Sequence, residues 1–321
     1  MLNSYLPEGM LLHTSENREA LSSLAGLERA MNEGKILEAT VLLCDSALRL
    51  HIDLYGIKGI IEKEDAVFCR RGEERKDIAV ITRVGKPTCF KVIGFEQING
   101  EKVAKLSRRA AQEECIRCYL GDLMEGDIIP ARVTHMESFG AFVDIGCGVP
   151  SLLSVDSISV SRISHPSDRL SVGESIYTVV KAIDRAQDRI FVSTRELLGT
   201  WEENAKNFEI GQTVAGIVRS IEPYGVFIEL APNLAGLAEL REGSSDRRLA
   251  VVGEHVAVYI KNIIPDRMKI KLVLIDSYRG EIVRRSLPYY IDGAHTHHID
   301  AWRYSPEGAT KMIESVFQTE S

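Results

Sequence analysis

The sequence is short of most features that would mark a membrane protein, a secreted scaffold or an enzyme. No apolar run approaches the ~18 residues needed to cross a bilayer, and the N-terminus, MLNSYLPEGM, has neither a basic start nor an apolar signal core. A cytoplasmic chain with no membrane partner is expected. Only six cysteines occur in 321 residues (Cys44, Cys69, Cys89, Cys115, Cys118 and Cys147), a scatter that suits reduced thiols and not a disulfide framework. The single C-x-x-C, Cys115 to Cys118, lacks the second ligand pair of a structural zinc site. No phosphate-binding loop, dinucleotide fingerprint in its required context, nucleophile elbow or convincing acid/base pair is present, so no enzyme, cofactor or small-molecule substrate is expected. An excess of basic residues is missing too. The net charge of -7 argues against a protein that coats duplex DNA by bulk charge. It does not exclude single-stranded RNA, because binding by stacking needs only a local basic groove beside an aromatic surface.

What is there is an ordinary globular composition, 45% hydrophobic and 26% charged, in a chain long enough for two or three domains. Residues 1–33 form an N-terminal helical segment, with Leu21, Leu24, Leu27 and Met31 at helical spacing between Asn17 and Asn32. From Gly34 short apolar runs punctuated by glycine and charge predict an all-β unit over 34–107, interrupted by a charged stretch from Arg70 to Asp77. A connecting helix, Ser107 to Tyr119, falls in a linker at 108–125. Further β units follow at 126–194 and 211–276. Between them, at 195–210, the stripe Leu197, Leu198, Trp201 and Phe208 predicts a packed linker helix in which Trp201 is structural. A tail occupies 277–321.

Internal repetition carries most of the information. GDIIPARVTHMESFGAFVDIG, starting at Gly126, aligns without a gap on GQTVAGIVRSIEPYGVFIELA, starting at Gly211. The alignment sets Phe139 over Tyr224, Gly140 over Gly225, Phe142 over Phe227 and Asp144 over Glu229. VGESIYTVVKAIDRAQDRIFVS from Val172 repeats as VGEHVAVYIKNIIPDRMKIKLV from Val252. Residues i and i+3 of a regular strand face opposite ways. A bulge or sharp twist at Gly140 would bring both rings onto one exposed face, where they could stack on unpaired bases. The other reading is that one or both rings are core.

With five short strands per unit and a repeated aromatic-Gly-[AV]-Phe, units two and three resemble the S1 RNA-binding domain, a module named after the large protein of the bacterial small ribosomal subunit. The resemblance rests on FGAF, on ISHPSDRLSVGE from Ile163 and on VVKAIDRAQDRIFVSTREL from Val179. LSRRAAQEE, from Leu106, looks like that family's linker between repeats, and the likeness extends over about residues 34 to 276. It implies a mainly β protein of three tandem five-stranded OB-fold barrels joined by short helices, binding single-stranded RNA on barrel faces and loops. Carried over position by position, the RNA-binding residues are Phe139, Phe142, Asp184 and Arg189 in unit two. In unit three they are Tyr224, Phe227, Asp266 and Lys269. The rings would stack on bases, Arg189 would pair with phosphate or stack, and Asp184 would accept from a base or hold the arginine. The implied partners are single-stranded RNA, mRNA included, with the small ribosomal subunit as a further candidate, and the implied role is in translation or RNA regulation. A protein-interaction scaffold with little RNA affinity is the alternative.

The family's histidine after strand three is replaced by Ser154 in unit two and Glu239 in unit three, which makes unit three the weaker RNA binder. In unit one, aligning Gly34 with Gly126 puts Ala47 and Leu50 where the rings should be and Glu62 in the histidine position. Unit one therefore lacks a stacking platform, although Arg70-Arg71 and Arg75-Lys76 leave phosphate contact open. In the tail, His295, His297 and His298 with Asp292 and Asp300 form a candidate metal cluster, although such runs are usually exposed loop, and no metal is assigned. Tyr289, Tyr290, Trp302 and Tyr304 are candidate anchors for docking on a partner.

Overall fold

A computed structural model describes residues 5–69, 76–239, 250–278 and 287–317. Strands dominate, and they close into three five-stranded barrels. Barrel one comprises β1 (Leu37–Cys44), β2 (Leu50–Leu54), β3 (Ile57–Ile61), β4 (Pro87–Ile98) and β5 (Glu101–Ser107). Barrel two comprises β6 (Ile128–Glu137), β7 (Gly140–Asp144), β8 (Pro150–Ser154), β9 (Ser175–Asp184) and β10 (Arg189–Ser193). Barrel three comprises β11 (Thr213–Glu222), β12 (Gly225–Ala231), β13 (Leu234–Glu239), β14 (His255–Ile264) and β15 (Lys269–Tyr278).

All three share one topology. In barrel one the order around the wall is β1-β2-β3-β5-β4, with β3 and β5 the parallel pair and the other printed pairings antiparallel. This is the five-stranded Greek-key arrangement of an OB barrel. Alternation along each strand explains the closure. In β12, Val226 and Ile228 are fully buried while Phe227 between them is only partly covered, and Ala141 and Phe142 divide in the same way in β7. The strand that follows the long loop carries a bulge in every barrel, between Val92 and Gly94, between Val180 and Ala182, and between Ile260 and Asn262. The extra residue turns the long strand around the barrel.

The contacts divide the chain into two compact units. The first comprises Met1–Leu123, Pro130–Arg132 and Val143–Pro150, the second Met124–Ile129, Val133–Phe142 and Ser151–Ser321. In the first unit the expected N-terminal helix is two helices, α1 (Ser15–Leu21) and α2 (Leu24–Glu33). Ser23 breaks them apart by capping the start of α2 through its side chain. Leu27 and Ala30 of α2 join the core of barrel one. A short α3 (Asp77–Ile81) precedes β4, and the basic stretch at Arg70, Arg71 and Arg75 lies outside the described residues. Ser107 caps α4 (Arg108–Cys118), the expected connector.

Buried charge ties down the start of the first unit. Glu8 accepts from Arg108 Nε at 2.7 Å and from Arg83 Nη1 at 2.8 Å, and its own backbone N–H donates to Asp144 at 2.7 Å. Burial alone would raise the Glu8 carboxyl, but the two guanidiniums bring it down to about 2. All six cysteines are free thiols.

The second unit contains two corrections to the sequence reading. The linker at 195–210 is a 3-10 turn (Arg195–Leu198) followed by α5 (Trp201–Ala205), because Gly199 at φ 82° interrupts any continuous helix. The tail does not expose Trp302 and Tyr304 as docking anchors. Its β16 (Ala301–Arg303) and β17 (Glu314–Val316) pair as a hairpin, and Trp302 and Tyr304 lie buried in the core of barrel three beside Trp201. Tyr289 accepts from the Tyr177 backbone N–H at 3.1 Å, and the exposed Tyr290 accepts from Asn207 at 2.8 Å. No helix among the described residues is long and apolar enough to cross a membrane.

Candidate nucleic-acid interface

The first ring of each repeated motif lies outside the strands. Ser138-Phe139 and Pro223-Tyr224 are two-residue turns joining β6 to β7 and β11 to β12. The alternation of a strand therefore does not bind Phe139 or Tyr224, and no bulge at the glycine is needed. Gly140 has another role. A Cβ there would meet the Leu153 carbonyl oxygen at 2.5 Å, and at Gly225 the Ala238 carbonyl at 2.7 Å. The missing side chain lets the third strand pass directly beside the turn, where the Val155 N–H donates to the Phe139 carbonyl at 2.9 Å.

The rings are presented in nearly the same way twice. Phe139 and Phe142 meet edge to face, centroids 6.0 Å apart at 89°, and Tyr224 and Phe227 do so at 6.3 Å and 87°. Phe139 is 54% exposed and Tyr224 is 60% exposed, which rules out core for both. Barrel two adds a third ring that the sequence reading missed. His135 on β6 stacks on Phe142 at 6.3 Å and 21°, with Nε2 2.7 Å from a Glu137 carboxylate oxygen. The repeat puts Ser220 at the corresponding position of barrel three, so the motif itself gave no signal for His135.

Asp184 and Arg189 face each other across the β9–β10 ladder. The Asp184 carboxylate accepts from the Ala186 and Gln187 backbone N–H groups at 3.0 and 3.1 Å, so it shapes the turn, while Arg189 is exposed. In barrel three the residue opposite Lys269 is Ile264. Asp266 lies in the 3-10 turn Pro265–Arg267 and not across the ladder from Lys269. The gap-free repeat from Val172 likewise sets Ile264, not Asp266, at the position of Asp184.

Barrel one also differs from expectation. Matching its β1 bulge, between Val41 and Leu43, to that of β11 between Val218 and Ser220 sets Leu48 and His51, not Ala47 and Leu50, in the two ring positions. Leu50 is fully buried, as its register requires. His51 pairs with Ile60 as Phe227 pairs with Leu237, and its Nε2 lies 2.9 Å from Asp45. Barrel one thus retains one ring of the motif, an imidazole tied to a carboxylate. Glu62 does take the place of Ser154 and Glu239, since it follows Ile61 opposite Leu50.

The tail histidines are engaged separately. His298 Nδ1 is 2.7 Å from Asp127, and His295 Nδ1 is 2.6 Å from Asp292. Among the described residues no three His, Cys, Asp or Glu side chains stand close enough to hold a metal.

Residues 122–195 match the S1 RNA binding domain family. The small ribosomal subunit protein bS1 of Staphylococcus aureus is 31% identical over 193 residues, 57% of this chain and 49% of that one. Its counterpart from Leuconostoc lactis is 27% identical over 256 residues, 75% of this chain and 56% of that one. The chain spans about half the length of the curated relatives it matches. Among solved structures, a multidomain protein with nucleic acid binding domains from Streptococcus pneumoniae aligns over 75% of this chain and 73% of its own, at 15% identity and a TM-score of 0.24. Residues 122–195, with the aromatic motif they contain, match the S1 RNA binding domain, and the chain is similar over 57% to 75% of its length to small ribosomal subunit protein bS1.

Proposed function

We propose that the chain is a non-enzymatic, cytoplasmic protein that binds single-stranded RNA, mRNA included, and acts in translation or RNA regulation, with the small ribosomal subunit as a candidate partner. The observation that carries the reading is the paired exposure of Phe139/Phe142 and Tyr224/Phe227 at equivalent places on two barrels. Exposed aromatic rings forfeit their burial energy, and stacking on bases recovers it at ~1–3 kcal/mol per base. Arg189 and Lys269 stand at the start of β10 and β15, where a backbone running along those strands would meet a positive charge. Barrel two leads because it adds His135 and has Arg189 in place of a lysine, a planar fork that can stack as well as pair. Barrel three assists.

A fluorescence-anisotropy titration with unstructured RNA tests the reading. Phe139→Ala/Phe142→Ala is expected to weaken binding by about ten-fold or more, and Tyr224→Ala/Phe227→Ala by less. An unchanged curve for the first variant, with its fold intact by circular dichroism, would refute the assignment. The scaffold alternative predicts that outcome.

A further inference from the structure

The surface of barrel two continues past its two motif rings. In barrel three, Phe227 pairs with Leu237 and Leu237 with Lys271, so these three side chains lie side by side across β12, β13 and β15. The same row in barrel two runs Phe142, Leu152, Phe191, since Leu152 pairs with Phe191 on β10 and sits beside the Gly140 turn as Leu237 sits beside Gly225. Phe191 is partly exposed and lies two residues along the strand from Arg189, on the same outward side. Its neighbour Val192 fills the barrel interior.

A lysine accompanies it. Lys181 is the bulged residue of β9, lying between Val180, which pairs with Val192, and Ala182, which pairs with Phe191. Its exposed side chain donates to Ser157 Oγ at 2.9 Å, and Ser154 donates to the same oxygen at 2.9 Å. Ser154 Cα lies 3.0 Å from where a Cβ on Gly140 would stand, so the chain of hydroxyls leads from the ammonium to the Phe139 turn. Barrel three keeps an exposed lysine, Lys261, on the corresponding bulge of β14, so it is the ring at the Phe191 position that sets barrel two apart. Barrel three has Lys271 in the place of Phe191, paired with Glu239 at 3.2 Å. Barrel one has Lys105 there, paired with Glu96 at 3.0 Å, and Ile93 on its bulge.

We propose that Phe191 and Lys181 form a further nucleotide position on barrel two, Phe191 stacking a base and the Lys181 ammonium taking an adjoining phosphate. The single strand would then cross β7, β8 and β10 on this barrel, over a longer path than barrel three provides. The inference rests on the RNA-binding reading above and goes beyond it in the residues and in the length of strand held.

The test uses the full chain in a Tyr224→Ala/Phe227→Ala background, which leaves barrel two as the principal aromatic platform, and labelled oligouridylates from a dinucleotide to an octanucleotide. Phe191→Ala should bind the dinucleotide like its parent and bind the octanucleotide about five-fold or more weakly. Phe191→Tyr should restore the affinity. Phe191→Lys, the side chain barrel three accommodates at this register, provides a variant that folds and lacks the ring, and it should behave like the alanine variant when the salt is raised. Lys181→Gln should lower the slope of log affinity against log salt by roughly 0.7 for the octanucleotide. A loss of equal size at every length, or no loss at all, overturns the proposal, as does an unchanged salt slope in Lys181→Gln. Failure of the parent and of the unmutated chain to bind any of the oligonucleotides would instead refute the RNA-binding reading, and this inference with it.

Discussion

At Gly140 the cost of one methyl group would fall on backbone, which cannot rotate aside as a side chain can. Gly140→Ala would set a carbon 2.5 Å from the Leu153 carbonyl oxygen, so β7 and β8 must move apart. Overpacking of this kind costs roughly 1–3 kcal/mol. A lower urea midpoint is expected, with RNA affinity reduced beyond what partial unfolding explains, because the displaced segment joins Phe139 to Phe142. Equal affinity at a temperature where the variant is fully folded would show that the glycine serves packing alone. Asp144 and Glu229, equivalent by the repeat, are both buried acids with structural work to do. Asp144 accepts from the Glu8, Gly146 and Gly148 N–H groups, whereas Glu229 lies between Arg219 Nε at 2.6 Å and Arg169. Glu229→Gln would leave Arg169 facing a neutral amide and Arg219 with Asp168, 3.4 Å away, as its remaining carboxylate. Breaking a buried pair from one side costs roughly 3–5 kcal/mol, which a denaturation curve would register. These arginines are therefore structural, although a count of basic residues would have assigned them to RNA.

The elements that flank the barrels are held by groups whose protonation matters. Glu38 on β1 is fully buried and accepts from the Gly9 and Leu11 N–H groups of the N-terminal strap. Burial, with the nearby Glu8 adding to it, pushes its carboxyl up to about 7, against the pull of those donors. In the unfolded chain it titrates near its ordinary value of 4.5. The folded state therefore binds the extra proton between these two values. Its contribution to stability is fully present below about 4.5 and is lost as the pH rises through about 7. The shift corresponds to roughly 3 kcal/mol at most. Chemical denaturation at pH values on either side of this window should show the loss, and Glu38→Gln, which stays neutral, should flatten it. A wild-type profile as flat as that of the variant would argue that the strap's N–H donors keep Glu38 ionised throughout. Gln at this position also keeps one acceptor for Leu11, so the comparison isolates charge more than contact.

Across the whole molecule, the barrels were legible in the sequence because strand alternation, turn glycines and the repeat all pointed the same way. The site was legible where the repeat held in register: Phe139, Phe142, Tyr224 and Phe227 came from an alignment with no gap. It failed where a loop changed length. The turn between β1 and β2 holds Asp45 to Arg49, so an ungapped match from Gly34 slipped by one residue and hid His51. A slip of one residue in a strand exchanges the two faces, which is why buried Leu50 was placed where a ring belonged. His135 and Phe191 were missed for a different reason: neither repeats in barrel three, and only pairing between strands distant in sequence brings them to the motif. The tail was misread because its aromatic residues carry no periodicity, and exposed anchors and buried ones look alike until the core they fill is known. Truncation after Tyr278 should therefore destabilise barrel three. Hydrogen exchange in β12 and β13 is the measurement, with faster exchange expected once Trp302 and Tyr304 no longer cover that core.

The same burial sets an order of events in time. Tyr304 donates to the Asn233 carbonyl at 2.6 Å and its N–H and carbonyl groups bond to Ile313 and Trp201, so residues well after the last barrel strand, which ends at Tyr278, complete the core. A nascent chain emerging from the ribosome would present barrel one with all its strands and helices while barrel three still waited for residues not yet joined. Its exposed apolar interior would be the aggregation-prone stage of synthesis. Its final closure would be among the slower steps of folding, because the contacts that complete it join residues far apart in sequence.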